Sequence, residues 1–221
     1  MRCGLFGKLP AKRDFVAIAA PRAFLRLWEP WLEKGLTAGR ASKAEGDFAE
    51  AFSTAPIWRF WLGPALCGQA IAGAFMPSVD ALGRMFPLTL IASGDDLAPP
   101  DVDPREAWFA QVEDVLLDAL DPATPFETTV ARLEALGEKE NSADAQAQDS
   151  SARAFAAMRA AQPDCPAQAA TFWWTVGGAD CAPLAMMQPA MPAPATFADM
   201  LSRRRQPEPQ EKSAETTAQP G

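Results

Sequence analysis

The sequence predicts one α/β domain in which helices cover a mostly buried sheet, and three features carry that expectation. Phe86-Pro87-Leu88-Thr89-Leu90-Ile91-Ala92 is almost uninterrupted in its apolarity, as a central strand buried on both faces must be. Ile57 to Leu62 and Ala70 to Phe75 are two apolar runs joined through a Gly-Pro turn, which reads as a buried hairpin. Between such runs, apolar residues recur at spacings of three and four, the signature of helices laid against a core.

Taken in order, Cys3-Gly4-Leu5-Phe6-Gly7 is a short strand closed by glycine, and Lys8-Leu9-Pro10 opens a loop. After Pro21, Phe24, Trp28, Trp31, Leu32 and Leu36 share one helical face. Pro30 interrupts this face, so the sequence predicts a kink or two abutting helices, because an interior proline costs about 3 kcal/mol. Phe48 and Phe52 mark a short helix before Thr54-Ala55-Pro56; the hairpin follows, then a charged turn from Pro77 to Arg84 and the central strand. Asp103-Pro104-Arg105-Glu106 and Thr124-Pro125-Phe126-Glu127 each offer a capping oxygen, a proline at the first helical position and a following glutamate. They predict a helix through Trp108, Val112, Val115, Leu116 and Leu120, and another through Phe126, Val130, Leu133 and Leu136. Glu138 to Ser151 reads as a solvated loop that resumes as a short helix around Ala154 to Ala160. Thr171-Phe172-Trp173-Trp174-Thr175-Val176 is the last strand, ended by Gly177-Gly178. Residues 203–221, opening with Arg203-Arg204-Arg205, have almost nothing to bury and read as a disordered, solvated tail, so the fold is expected to span residues 1–202.

A chain of 221 residues, 48% of them hydrophobic, has material for a sizeable core. Its 28 acidic against 20 basic residues give a net charge of −8, which repels phosphate backbones and anionic headgroups and argues against nucleic acid as a partner. There is no histidine and no tyrosine, so every Ser-His, Cys-His and His-metal arrangement is excluded. Proton transfer near neutral pH is left to perturbed carboxylates, lysines or thiols. The four cysteines, Cys3, Cys67, Cys165 and Cys181, form no zinc spacing, and such sparse usage points to free thiols in the cytoplasm. Phe15 to Ala20 is too short for a signal core and abuts Asp14. The charge-free stretch from Phe60 to Val79 has the length of a membrane helix, but Gly63, Pro64, Gly68, Gly73 and Pro77 make it a hairpin, so no direct membrane insertion is expected.

Few motifs suggest chemistry. Gly4-Leu5-Phe6-Gly7-Lys8 has the wrong spacing for a phosphate loop and lacks the hydroxyl after the lysine. Ser78 near Asp80, with Lys8 or Lys12 as base, is a conceivable nucleophile, although Pro77-Ser78-Val79-Asp80 is more simply a turn. Asp95, Asp96, Asp101 and Asp103 lie in a proline-rich loop without the ligand alternation of a calcium site; no metal and no cofactor is expected. More informative are charges set in apolar surroundings: Arg13-Asp14, Arg59 within Ile57-Trp58-Arg59-Phe60-Trp61, and Asp80 with Arg84. A lone buried charge is costly, so these charges either pair internally or cluster on a recognition surface, whose favoured composition is Arg, Trp and Phe.

The blocks Gly4-Leu5-Phe6-Gly7-Lys8-Leu9-Pro10-Ala11 with Arg13-Asp14-Phe15-Val16, Trp28 and Trp31, Thr54-Ala55-Pro56-Ile57-Trp58-Arg59-Phe60, Pro77-Ser78-Val79-Asp80 and Gly83-Arg84-Met85-Phe86-Pro87-Leu88-Thr89-Leu90 resemble the TagF family of bacterial type VI secretion systems. Phe172-Trp173-Trp174-Thr175 resembles that family's late Trp-Trp strand. The resemblance implies a single three-layer α/β/α sandwich-like domain, its mixed sheet flanked by helices. It also implies a non-enzymatic, cytoplasmic, post-translational repressor of secretion-apparatus assembly that binds a component such as the forkhead-associated scaffold protein Fha. The phosphatase domain fused to some relatives is not expected, because its aspartate and histidine metal motifs are absent from this sequence. Lys8, Arg13, Asp14, Arg59, Asp80 and Arg84 become candidates for partner contact or for an ion-pair network. The alternative is a hydrolase or small-molecule-binding enzyme using Ser78, Asp80 and Lys8.

Overall fold

The chain alternates short strands with helical excursions: β1 (Arg2–Gly7), β2 (Val16–Ile18), α1 (Arg22–Ala41), α2 (Glu45–Ser53), β3 (Trp58–Leu62), β4 (Ile71–Met76), β5 (Leu88–Ser93), α3 (Glu106–Ala119), α4 (Phe126–Glu138), α5 (Ala145–Ala160), β6 (Thr171–Thr175), β7 (Leu184–Gln188) and α6 (Pro194–Ser202). The structure is a computed structural model and describes residues 1–138, 145–178 and 181–202; the expected tail lies outside the described residues. The strands form one sheet in the order β2-β1-β5-β4-β3-β6-β7. Every adjacent pair is antiparallel, so the expected mixed sheet is corrected. The reason lies in the connections: β1 to β2, β3 to β4, β4 to β5 and β6 to β7 are sequential neighbours, and links this short join only antiparallel strands.

β5 lies inside the sheet and is buried at every position, as its unbroken apolarity requires. Alternate residues of each interior strand enter opposite cores. Trp61, Ala72, Leu90, Phe172 and Trp174 join Trp108, Val112, Leu133 and Phe155 of α3, α4 and α5. Trp58, Phe60, Phe75, Ile91 and Trp173 join Phe24, Trp28, Trp31, Phe52 and Phe197 of α1, α2 and α6. Helices therefore cover both faces. In the second core Trp28 stacks on Phe60 at 4.4 Å and donates its indole N–H to Thr89 Oγ1 at 3.0 Å, so its one polar atom is satisfied inside the apolar cluster.

Several expectations need correction. Of the two alternatives at Pro30, two abutting helices are ruled out: α1 is one helix from Arg22 to Ala41, with Pro30 inside it on its exposed face. The first capping box does not form: the residue before α3 is Arg105, left-handed at φ 52°, and its amide donates to Asp103 Oδ1 at 3.3 Å. α4 begins at Phe126, with the Thr128 amide bonded to the Pro125 carbonyl at 3.0 Å, so Pro125 sits just ahead of the helix instead of inside it. α5 starts at Ala145, within the stretch expected to be a loop. The edge strands β2 and β7 and the final helix α6 were not expected. The segment around α6 is tied down by tryptophans, since Trp31 donates to the Pro192 carbonyl at 2.8 Å and Trp58 to the Met200 carbonyl at 3.0 Å.

Candidate functional site

The charged residues singled out in the sequence sort into two networks and one exposed pair. The first network is centred on Asp80, whose side chain is wholly buried beyond the end of β4. Its Oδ1 accepts the backbone amides of Leu82 and Arg84, each at 2.9 Å, while Gly83 adopts φ 75° and its amide returns to the Asp80 carbonyl at 2.9 Å. The turn is thus wrapped around its own carboxylate. Oδ2 meets Lys8 Nζ at 3.0 Å and Arg84 Nε at 2.6 Å.

Lys8 arrives there because β1 ends at Gly7. With φ at 131° and no room for a Cβ against the Pro87 carbonyl, Gly7 lets β1 leave the sheet directly beneath the Asp80 turn. Two further bonds join the loops: the second guanidinium nitrogen of Arg84 donates to the Arg13 carbonyl at 2.5 Å, and the Ala81 amide donates to the Lys12 carbonyl at 2.9 Å. Phe15 packs on Phe86 at 4.7 Å and lies 5.0 Å from the Lys8 ammonium. The loops 8–15 and 77–86 therefore form one cross-braced unit. Burial alone would raise the Asp80 pKa, but the two backbone amides and the two cations outweigh it and hold the carboxyl far below the usual carboxylate range.

The second network shares no residue with the first. Arg59 of β3 is 4% exposed, donates from Nε to Glu113 and from a terminal nitrogen to Glu106, both at 2.6 Å, and rests 5.3 Å from Phe109. It pins α3 to the sheet. Arg13 and Asp14, by contrast, are exposed.

Beside the braced loops is an apolar hollow of about 240 Å³, bounded by Pro10, Phe52, Pro77, Val79, Met85 and Leu120, with Ser78 in its wall. A larger hollow of about 410 Å³ opens at the opposite end of β4, near Trp61, Gln69 and Asp96, away from these charges. Val79, Leu82 and Phe15 are 37%, 61% and 49% exposed, so the braced loops present apolar side chains to solvent. Ser78 does not join Lys8 and Asp80; its hydroxyl reaches the neighbouring Val79 carbonyl at 3.5 Å, while the lysine and aspartate are consumed in the ion pair. Burial pushes the Cys3 thiol up to about 11 and that of Cys67 upward, so neither is a thiolate at neutral pH. No cluster of metal-ligating side chains occurs among the described residues, and none of the described helices is long and apolar enough to cross a membrane.

A family model described as the TagF N-terminal domain, type VI secretion system-associated, matches residues 4–136. The chain belongs to the TagF family. The matched region holds both charge networks, both braced loops and the hollow. A likeness to a solved structure extends beyond that region. The crystal structure of PA0076 from Pseudomonas aeruginosa PAO1, at 2.05 Å resolution, superposes with a TM-score of 0.71 at 28% identity, covering 90% of this chain and 94% of that one. Comparison with curated proteins gives no match. Glu106 and Glu113, the partners of Arg59, were missed in the sequence, where Glu106 reads as a capping residue; their seven-residue spacing puts them on one helix face, but only the fold brings that face to Arg59.

Proposed function

We propose that this TagF protein is a non-enzymatic, cytoplasmic repressor of type VI secretion that binds a component of the apparatus, such as the Fha scaffold, and withholds it from assembly. Family membership supplies the setting, and the carrying observation is the braced loop face. Asp80, whose carboxyl is held far below the usual carboxylate range, is engaged in holding two loops together, and those loops expose Phe15, Leu82, Arg13 and Arg84. A mixed aromatic, aliphatic and arginine surface on a rigid support is suited to protein recognition, since little ordering cost is left to meet on binding. Repression then follows by mass action, to an extent set by repressor concentration relative to its dissociation constant. The two cores on opposite sheet faces likewise support reading the fold as a three-layer sandwich.

Isothermal titration of the purified chain into the purified scaffold of the same secretion system tests the reading, paired with a count of assembled secretion machines in cells that overproduce the chain. Saturable binding together with fewer machines is expected. Absence of binding with an unchanged count refutes the proposal.

A further inference from the structure

We infer that the braced loops 8–15 and 77–86 dock an acidic segment of a protein partner, which inserts a large apolar side chain into the adjoining hollow; this deepens, and rests on, the binding role proposed above. The first observation is a local reversal of charge. The chain as a whole carries 28 acidic and 20 basic residues, yet these two loops carry Lys8, Lys12, Arg13 and Arg84 against Asp14 and Asp80. Burial leaves the reversal in place: the Lys8 and Asp80 side chains, 9% and 0% exposed, offset one another inside the loops, while half-buried Lys12, exposed Arg13 and Arg84, 55% exposed, outnumber the exposed Asp14. The outward field of the loops is therefore cationic on an anionic protein, which steers an acidic ligand to this face and away from the rest of the surface.

The second observation is the apolar surface inside that field. Val79 and Met85 line the hollow and come from the same loop as Leu82 and Arg84. An apolar anchor seated there lies next to cations already fixed in place by Asp80. Asp121, exposed and next in sequence to Leu120 of the hollow's lining, repels the same carboxylates, which disfavours placing the segment's acidic residues beside it.

The probe is a short fluorescein-labelled peptide in which glutamates flank a central Leu-Phe pair, with a lysine-flanked version as control, followed by anisotropy at low and physiological ionic strength. Arg13→Glu and Leu82→Asp change exposed side chains, and their unfolding midpoints establish that they fold. The wild type is expected to bind the acidic peptide, more weakly as salt rises, and each variant to bind it about tenfold more weakly. Equal binding of the lysine peptide, unchanged binding by both variants, or no binding of the acidic peptide overturns the inference. The same variants titrated into the Fha scaffold separate the two readings. Scaffold binding that survives both substitutions removes the docking face but leaves the repressor role; peptide binding without scaffold binding keeps the face and removes the scaffold as its target.

Discussion

Replacing Arg59 with methionine keeps an aliphatic stem but removes the guanidinium that lies 5.3 Å from the Phe109 ring and the charge that two glutamates share. In the wild type, the guanidinium lies 2.6 Å from Glu113 and 2.6 Å from Glu106 and is 4% exposed. Removing one partner of a buried pair costs about 3–5 kcal/mol, because the charge left behind is neither paired nor hydrated. The glutamate side chains here are 23% and 16% exposed and recover part of their hydration, which places the loss at the low end, about 3 kcal/mol. With a slope of about 2–3 kcal/mol per molar urea, the midpoint followed by tryptophan fluorescence falls by roughly 1–1.5 M. A triple variant, Arg59→Met with Glu106→Gln and Glu113→Gln, removes the stranded charges and recovers most of the loss. A single variant within about 1 kcal/mol of wild type, or a triple variant no more stable than the single, refutes the claim that this network holds α3 to the sheet.

Asp80→Asn destabilises the braced loops in a manner that depends on pH. The carboxyl pKa is depressed in the folded protein, so its stabilisation is full above the unfolded value of about 3.9 and is lost as pH falls toward the folded value. Urea midpoints of wild type and variant should differ by a constant amount from pH 5 to pH 7 and converge as pH drops below about 4. Ala19 has φ 48°, in the region only glycine enters freely, so Ala19→Gly should raise stability by about 0.5 kcal/mol after the added freedom of the unfolded chain is deducted; calorimetry reads this as a small increase in Tm. Gly35→Ala should lower it by about 1–3 kcal/mol, because a Cβ there collides with the buried Phe197 ring and separates α1 from α6. Thr89→Val strands the buried indole N–H of Trp28 and should cost about 1–3 kcal/mol, seen in the denaturation midpoint with the native fluorescence spectrum retained.

The elements legible in the sequence are those whose burial is nearly complete. β3, β4, β5 and β6 are buried at every residue, and the face of α1 places two tryptophans and a phenylalanine in one core, so periodicity and apolarity announce them. β2 has three residues, with Ala17 exposed and Ile18 half-buried, and only its pairing to β1 makes it a strand. β7, Leu184-Ala185-Met186-Met187-Gln188, is a half-buried edge of weak strand formers held by β6. α6 opens among Pro192 and Pro194 and resembles a loop, although Phe197, Met200 and Leu201 keep helical spacing and are buried. For the site, the expectation that embedded charges pair is met at Lys8, Arg59, Asp80 and Arg84, whereas the side chains of Arg13 and Asp14 are exposed. It did not identify the partners of Arg59, which lie 47 and 54 positions along the chain, because long-range pairing is set by topology.

That division of labour among the charges decides which substitution can test recognition. Arg59 is the candidate most deeply set in apolar sequence, and Arg59→Glu looks like a direct probe of a binding surface. In the structure it would bring a third carboxylate against Glu106 and Glu113 within a mostly buried pocket, so lost binding would report a lost fold. Lys8 and Asp80 are compromised similarly, because each supports the cross-brace that shapes the loops. Arg13 is different: its backbone carbonyl receives the Arg84 bond, while its side chain is exposed. Reversing its charge alters what a partner meets without withdrawing a bond that shapes the loop. Binding abolished by Arg13→Glu at unchanged stability would therefore locate recognition on this face; binding abolished only by Arg59→Glu would show that the assay had measured unfolding.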